Sequence, residues 1–267
     1  MSEDAAAPPF DTGTPHQARV WNYFVGGKDH YPADQEFAEK ILEVYPDFGE
    51  VPRLSRAFLG RAVRHLAGEE GIRQFLDIGT GLPTHDNTHE VAQRIAPESK
   101  IVYVDNDPLV LVHARALLTS TPEGVCAYID ADARRPETIL RQAAETLDFT
   151  EPVGLMLLGV LGTVRDDGEA AAILRDLLDA LPSGSFLVLE DGTRTVRPEA
   201  AAKAEEVRDD GGYDYELRTP ERIARFFDGL DLLEPGVVSV SRWRPEPTPF
   251  GGEPAEVDAF CGVARKP

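Results

Sequence analysis

The sequence predicts an α/β fold in which a doubly wound, mostly parallel sheet follows an N-terminal helical cap. Three observations carry this reading. From residue 73 onward, apolar runs that read as strands alternate with stretches of helical periodicity. The run Phe75-Leu76-Asp77-Ile78-Gly79-Thr80-Gly81-Leu82-Pro83 sets an acid and two glycines where a strand ends and a helix begins. Roughly 24 residues on, Ile101-Val102-Tyr103-Val104-Asp105-Asn106-Asp107-Pro108 is a second apolar strand ending in carboxylates, the separation of neighbouring strands in a βαβ unit.

Taken in order, residues 1–10 are small, acidic and proline-bearing and are expected to form a flexible tail. Residues 11–71 read as the helical cap. Pro32 opens a helix with Asp34 and Glu36 in its first turn, and Phe37, Ile41 and Val44 recur at helical spacing before Pro46. A second helix carries the stripe Leu54, Phe58, Ala62 and Leu66 and stops at Gly68 to Gly71, with Arg53, Arg56, Arg61, Arg64 and His65 expected on its solvated face.

Residues 72–267 form the core. Strands are expected at 73–78, 101–105, 125–129, 153–158 and 185–190, with helices near 86–95, 108–118, 136–146 and 168–180 between them. The strands are nearly continuous in apolar residues, as in a parallel sheet covered on both faces. Asp107-Pro108 suits a helix start, with Asp as cap and Pro at the first helical position. After Asp191, helices are expected at 200–207 and from Thr219-Pro220-Glu221 to Phe227, and strands at 237–240 and 260–264, joined by a proline-rich loop at 245–254, bring the sheet to seven.

Composition narrows the function. Lys plus Arg number 27 against 47 Asp plus Glu, a formal charge of −20 that repels a phosphate backbone and argues against a nucleic-acid partner. Cys126 and Cys261 are the two cysteines, without disulfide or metal-ligand spacing, so no metal is expected. No apolar run reaches the length of a membrane span and the N-terminus has no apolar segment of a leader, which makes the cytoplasm the default location and excludes a membrane partner. A homodimer is compatible with the chain.

The first strand-to-helix turn speaks to a cofactor. Glycines let an adenosine-bearing ligand approach the backbone, and Asp105 or Asp107 at the second strand tip could accept the two hydroxyls of a ribose. A dinucleotide site usually carries a third glycine, where this chain has Thr84, and Asp77 would add negative charge near a pyrophosphate. An acid there suits a ligand bearing an ammonium and a sulfonium, so the loop favours S-adenosylmethionine (SAM) over NAD. No GxxxxGK[ST] phosphate loop is present.

These residues give the chain its resemblance to class I SAM-dependent methyltransferases. More narrowly, it resembles the S-adenosyl methyltransferase family with an N-terminal Gly26-Gly27-Lys28-Asp29 signature, followed by the motifs at Phe75 to Thr84 and at Val102 to Pro108. The likeness runs from Asp11 through Arg19-Val20-Trp21-Asn22-Tyr23 to Pro267. It implies a Rossmann-like, seven-stranded sheet ending in an antiparallel pair, and the cofactor rather than the methyl acceptor.

The resemblance and the residues together nominate a site. Asp77, Gly79 and Gly81 would hold the methionine part of SAM, Asp105 the ribose, Asn106 the border of the adenine and Asp132 its amino group, with a helix cap as the alternative role of Asp132. The fourth strand tip, from Leu158 to Thr163, would face the methyl group, with Gly162 where the family places a histidine. Among the polar residues of the cap and first loop, Tyr23, Lys28 and Asp29 are the candidates for the chemistry, with a helix C-cap as the alternative reading of Gly26 to Asp29. Glu190 and Asp191 end the fifth strand, where capping and solvent exposure account for them. The function expected is methyl transfer to an O or N atom of a small molecule. A SAM-binding or product-binding module of weak catalysis is the second reading, and an NAD-dependent oxidoreductase the least favoured.

Overall fold

The computed structural model describes residues 11–117, 119–212, 214–247 and 252–267; the expected tail at 1–10 and part of the loop at 245–254 lie outside them. Among the described residues, eight strands form a single sheet: β1 Gln74–Ile78, β2 Lys100–Asp105, β3 Val125–Asp130, β4 Gly154–Leu158, β5 Phe186–Gly192, β6 Asp231–Leu232, β7 Val238–Ser239 and β8 Ala259–Arg265. Their order is β3-β2-β1-β4-β5-β8-β6, with β7 also paired to β8. β1 to β5 are mutually parallel and β8 runs antiparallel to β5.

The seventh line of the sheet is broken in two. β6 and β7 both lie antiparallel against β8, Leu232 opposite Ala264 and Val238 opposite Cys261. Residues 233–237 therefore lie opposite residues 262–263 of β8, so the pairing is interrupted by a bulge, with Gly236 at φ +89° within it. The sequence shows no sign of β6 because both its residues are exposed and carry no in–out alternation.

Nine helices are described around this sheet: α1 Gln17–Phe24, α2 Pro32–Val44, α3 Glu50–Gly68, α4 Thr88–Ile95, α5 Pro108–Leu117, α6 Pro136–Ala143, α7 Asp167–Asp179, α8 Pro198–Asp210 and α9 Pro220–Ala224. Strand residues alternate between two buried faces. Leu76, Ile78, Leu155 and Leu187 meet α6 and α7 through Ile139, Ile173 and Leu177. Phe75, Ile101, Met156 and Phe186 meet α3 and α4 through Phe58, Leu66 and Val91. Each such side chain contributes about 1.5–3 kcal/mol of burial, which is why these strands read as unbroken apolar runs.

The cap differs from expectation in its third helix. α3, grouped with the cap in the sequence, lies directly on the sheet, because Phe58, Ala62 and Leu66 are fully buried against it. Its basic residues also divide. Arg53 and Arg64 pair in solvent with Glu50 and Glu246, whereas Arg61 reaches inward to the carbonyls of Trp243 and Val240 and Arg56 to Asn87 Oδ1. A separate apolar cluster, with Val20, Phe24, Phe37, Ile41 and Ala204 at its centre, joins α1 and α2 to α8 and sits over the C-terminal edge of the sheet. The helix expected from residue 86 begins at Thr88 instead, since Asp86 takes φ +59° and Asn87 closes a capping box with Glu90.

Candidate active site

A cleft of about 420 Å³ opens at the C-terminal ends of β1, β2 and β4, and Asp77, Gly79, Gly81, Asp105, Asn106, Asp132 and Leu158 all line it. The turn after β1 shapes its floor. Gly79 and Gly81 have φ of +74° and +66°, the left-handed region that disfavours side chains. A Cβ on Gly79 would come within 2.1 Å of Val160 Cγ2, whereas one on Gly81 would meet nothing within 4 Å. Gly79 N–H donates to Val104 O at 2.8 Å, and Gly81 N–H to Asp105 Oδ2 at 2.8 Å, tying the first turn to the second strand tip.

Asp105 is buried, and its other oxygen accepts from Asp107 N–H at 2.9 Å. Burial raises its carboxyl above the usual range, against the pull of these two amides. Asp107 caps α5 through Leu109 N–H at 2.9 Å and faces His16 Nδ1 at 2.9 Å. Asp77 takes the Thr88 hydroxyl at 2.6 Å, and burial pushes its carboxyl up to about 6 although Thr88 and Arg56 pull it down. Asp132 also holds its own loop: its Oδ1 accepts from Arg134 N–H at 2.8 Å, and the Arg134 guanidinium continues to the carbonyl of Thr163. Asn106 is exposed and Leu158 half-buried on the wall.

Tyr23, Lys28 and Asp29 are not among the residues lining this cleft. The phase of α1 decides that. Gln17, Ala18 and Trp21 share one helix face and turn to the cleft, while Tyr23 turns away and its hydroxyl reaches Glu39 at 3.3 Å. Gly26 to Asp29 terminate α1. Gly26 at φ +79° is preceded by Val25; Gly27 N–H donates to Asn22 O at 2.8 Å and Gly26 N–H to Tyr23 O at 3.0 Å, the paired bonds of a Schellman cap. Asn22 Oδ1 then receives Asp29 N–H at 3.0 Å, and Lys28 is exposed.

A second cavity, of about 70 Å³, lies under the cap and shares Gln17, Trp21, Gly159 and Glu190 with the cleft. Its walls are chiefly apolar. Glu190 is 3% exposed, so solvent does not account for it; burial first, then the Asp191 charge, pushes its carboxyl up to about 8, which the Ser55 hydroxyl only partly offsets. Asp191 is fully buried as well, but three donors satisfy it: the Tyr215 hydroxyl at 2.5 Å, Gly162 N–H at 3.0 Å and Arg218 Nη1 at 3.0 Å. The signal for Glu190 was present in the sequence, a carboxylate closing an apolar strand at the active edge of the sheet, but its burial depends on α1 and α3 folding over it.

The S-adenosyl methyltransferase family description matches residues 3–267. The chain belongs to the S-adenosyl methyltransferase family. It is 44% identical to a DUF574 family protein of Streptomyces avermitilis, covering 96% of this chain and 99% of that one at a TM-score of 0.92. A solved structure from Thermobifida fusca is 40% identical over 99% of both chains, with a TM-score of 0.89. The plantazolicin methyltransferase BpumL, solved in complex with S-adenosylhomocysteine (SAH), is 11% identical over 94% of this chain and 95% of its own and shares the fold, with a TM-score of 0.55. No curated protein matches.

The cleft of this S-adenosyl methyltransferase fits SAM, the family's cofactor. The open space at Gly81 leaves the backbone bare to a ligand. The carboxylate of Asp105 has about four lone-pair positions, two of them taken by amides, so ribose hydroxyls still find acceptors. Arg56 Nε is buried without a hydrogen-bond partner on the cleft wall, and Asp77 lies close enough to interact with that charge. A cation and an acid side by side match the carboxylate and ammonium of an amino-acid head group.

Proposed function

We propose that this methyltransferase moves a methyl group to an oxygen or nitrogen atom of a small molecule held between the cap and the C-terminal edge of the sheet. The observation that supports this most is that the apolar cavity under the cap meets the cofactor cleft at Gly159 and Glu190. When bound, SAM would supply an electrophilic methyl carbon to a lone pair of the acceptor.

The chain's own residues then divide the work. Gly79 and Gly81 hold the backbone close, Asp77 and Arg56 orient the amino-acid head group, Asp105 the ribose, and Asn106 and Asp132 the adenine side. Leu158 and Gly159 form the wall beside the reacting atoms, and Gln17, whose Nε2 reaches Gly159 O at 3.4 Å, fastens the cap over them. A shut cap excludes water from that point. We place the division of the chain between a cap of α1, α2 and α8 and the sheet with its covering helices.

The −20 charge argues for a small acceptor rather than a nucleic acid. Among the described residues no helix is long and apolar enough to cross a membrane, and the proposed setting is the cytoplasm, as a monomer or a homodimer. The second reading, a module that binds SAM or its product with weak catalysis, draws on Gly162, which brings no side chain to the fourth strand tip. Following SAH formation with SAM and a panel of small hydroxyl and amine compounds tests the choice: turnover with any one supports the enzyme, and SAH binding with no turnover across the panel supports the module.

A further inference from the structure

We propose that the cavity under the cap takes a planar, uncharged aromatic molecule bearing an acidic hydroxyl, a phenol in chemical class, and that Glu190 accepts the hydroxyl proton. This rests on the methyl-transfer reading and names its acceptor.

The walls set the ligand's shape. Trp21, Phe24, Phe37, Tyr45, Phe48 and Tyr215 bring six aromatic side chains to one narrow space, and ring faces stack best on a flat ring. The polar groups there are mostly spent on each other. Tyr45 donates to Asp258 Oδ2 at 2.9 Å, and Asp258 also accepts the Val196 and Arg197 amides. Tyr215 donates to Asp191, and Thr193 exchanges with Thr195. A sugar or a charged acceptor would leave its solvation behind and find few partners. The charged groups on the walls are Glu190, Asp258 and Arg208, two acids to one cation, a balance that does not draw in an anion.

Glu190 stands at the junction, lining both cavities. The titratable groups around it are Asp191 on its own strand, Cys261 across on β8 and Tyr215 from the segment before α9, while α3 contributes the Ser55 hydroxyl. From α8, Arg208 stacks its guanidinium over the Tyr215 ring at 5.9 Å. None of these offers a free base to the cavity: Asp191 is held by three donors, and burial raises both Tyr215 and Cys261 well above their usual range. In the reaction, the hydroxyl proton passes to a Glu190 carboxylate oxygen. The acceptor oxygen's lone pair forms the bond to the methyl carbon, and sulfur keeps the pair of the bond that breaks. The ionised form that Glu190 needs is populated as pH climbs toward about 8.

The test uses the full chain loaded with SAH, whose binding is first measured by calorimetry. 4-Nitrophenol, whose colour reports its ionisation, is then titrated into wild type and Glu190→Gln, with methyl glucoside as a polar comparison. The expected result is one equivalent of 4-nitrophenol bound per chain and a colour midpoint for the bound probe that moves by at least about one pH unit between the two proteins. SAH binding with no phenol bound, with methyl glucoside bound in preference, or with identical midpoints overturns the proposal. Failure to bind SAH overturns the cofactor reading on which it rests. The wild-type stoichiometry, read with SAH already in the cleft, needs no variant, so absence of bound 4-nitrophenol overturns the proposal even if Glu190→Gln fails to fold.

Discussion

The ring of Tyr215 occupies the space that a side chain at position 162 would need: a Cβ on Gly162 would lie 2.2 Å from Tyr215 Cζ, and the Tyr215 hydroxyl donates to Asp191 Oδ1 at 2.5 Å. Position 162 is thus vacated for a residue 53 places later in the chain, which brings its own polar group to the active edge. Gly162→Ala should overpack the site and lower stability by about 1–3 kcal/mol. Combined with Tyr215→Ala, which makes the room, the two losses should fall short of their sum by at least about 0.5 kcal/mol. Urea unfolding of the four proteins measures this, and strict additivity would separate the two residues.

Asp105 links the first and second strand tips through Gly81 and Asp107 amides. Asp105→Ala should weaken SAH binding at least about tenfold, or 1.4 kcal/mol, by calorimetry. Asp105→Asn, which retains one acceptor oxygen, should fall between. Unchanged affinity in Asp105→Ala would take the residue out of the site.

The two glycines of the turn should respond differently. Gly79→Ala meets both the left-handed backbone and Val160 at 2.1 Å, whereas Gly81→Ala meets only the backbone conformation. The left-handed penalty is about 1–2 kcal/mol, so Gly81→Ala should lose about that much stability and Gly79→Ala more. Gly81→Ala should nevertheless lose SAH affinity, because its methyl group would project toward the cleft. Thermal melts with and without SAH distinguish a stability loss from a binding loss.

Stability should fall as pH rises past neutrality. The Glu190 carboxyl is raised from 4.5 to about 8, so the folded protein holds that proton more tightly than the unfolded chain. The stabilisation linked to it is complete below about pH 4.5 and is lost as pH climbs through 8. Asp77, raised from 3.8 to about 6, acts in the same direction over a lower window. Urea midpoints taken from pH 6.5 to 8.5 should drop in the wild type and drop less in Glu190→Gln; parallel curves would show that Glu190 does not keep its proton on folding.

The strand tips were legible in the sequence because their chemistry is local. Asp77, Gly79, Gly81 and Asp105 sit in short runs whose apolar pattern announces a strand and whose glycines announce a turn, and the parallel sheet brings all four to one edge. The cavity under the cap was not legible, since α1, α2, α8 and the segment at Tyr215 each contribute only one face of it. Tyr23 and Lys28 drew notice beside a glycine pair whose role is to end a helix. Arg56 read as one of a solvated basic row because a helical stripe does not reveal which flank a neighbouring loop will cover.

Calorimetry of the purified protein with SAM, SAH and NAD, titrated separately under the same conditions, tests the central claim most directly. The cleft at Asp77, Gly81 and Asp105 predicts saturable binding of SAM and SAH near one per chain and none of NAD; binding of NAD alone, or of none of the three, would contradict it.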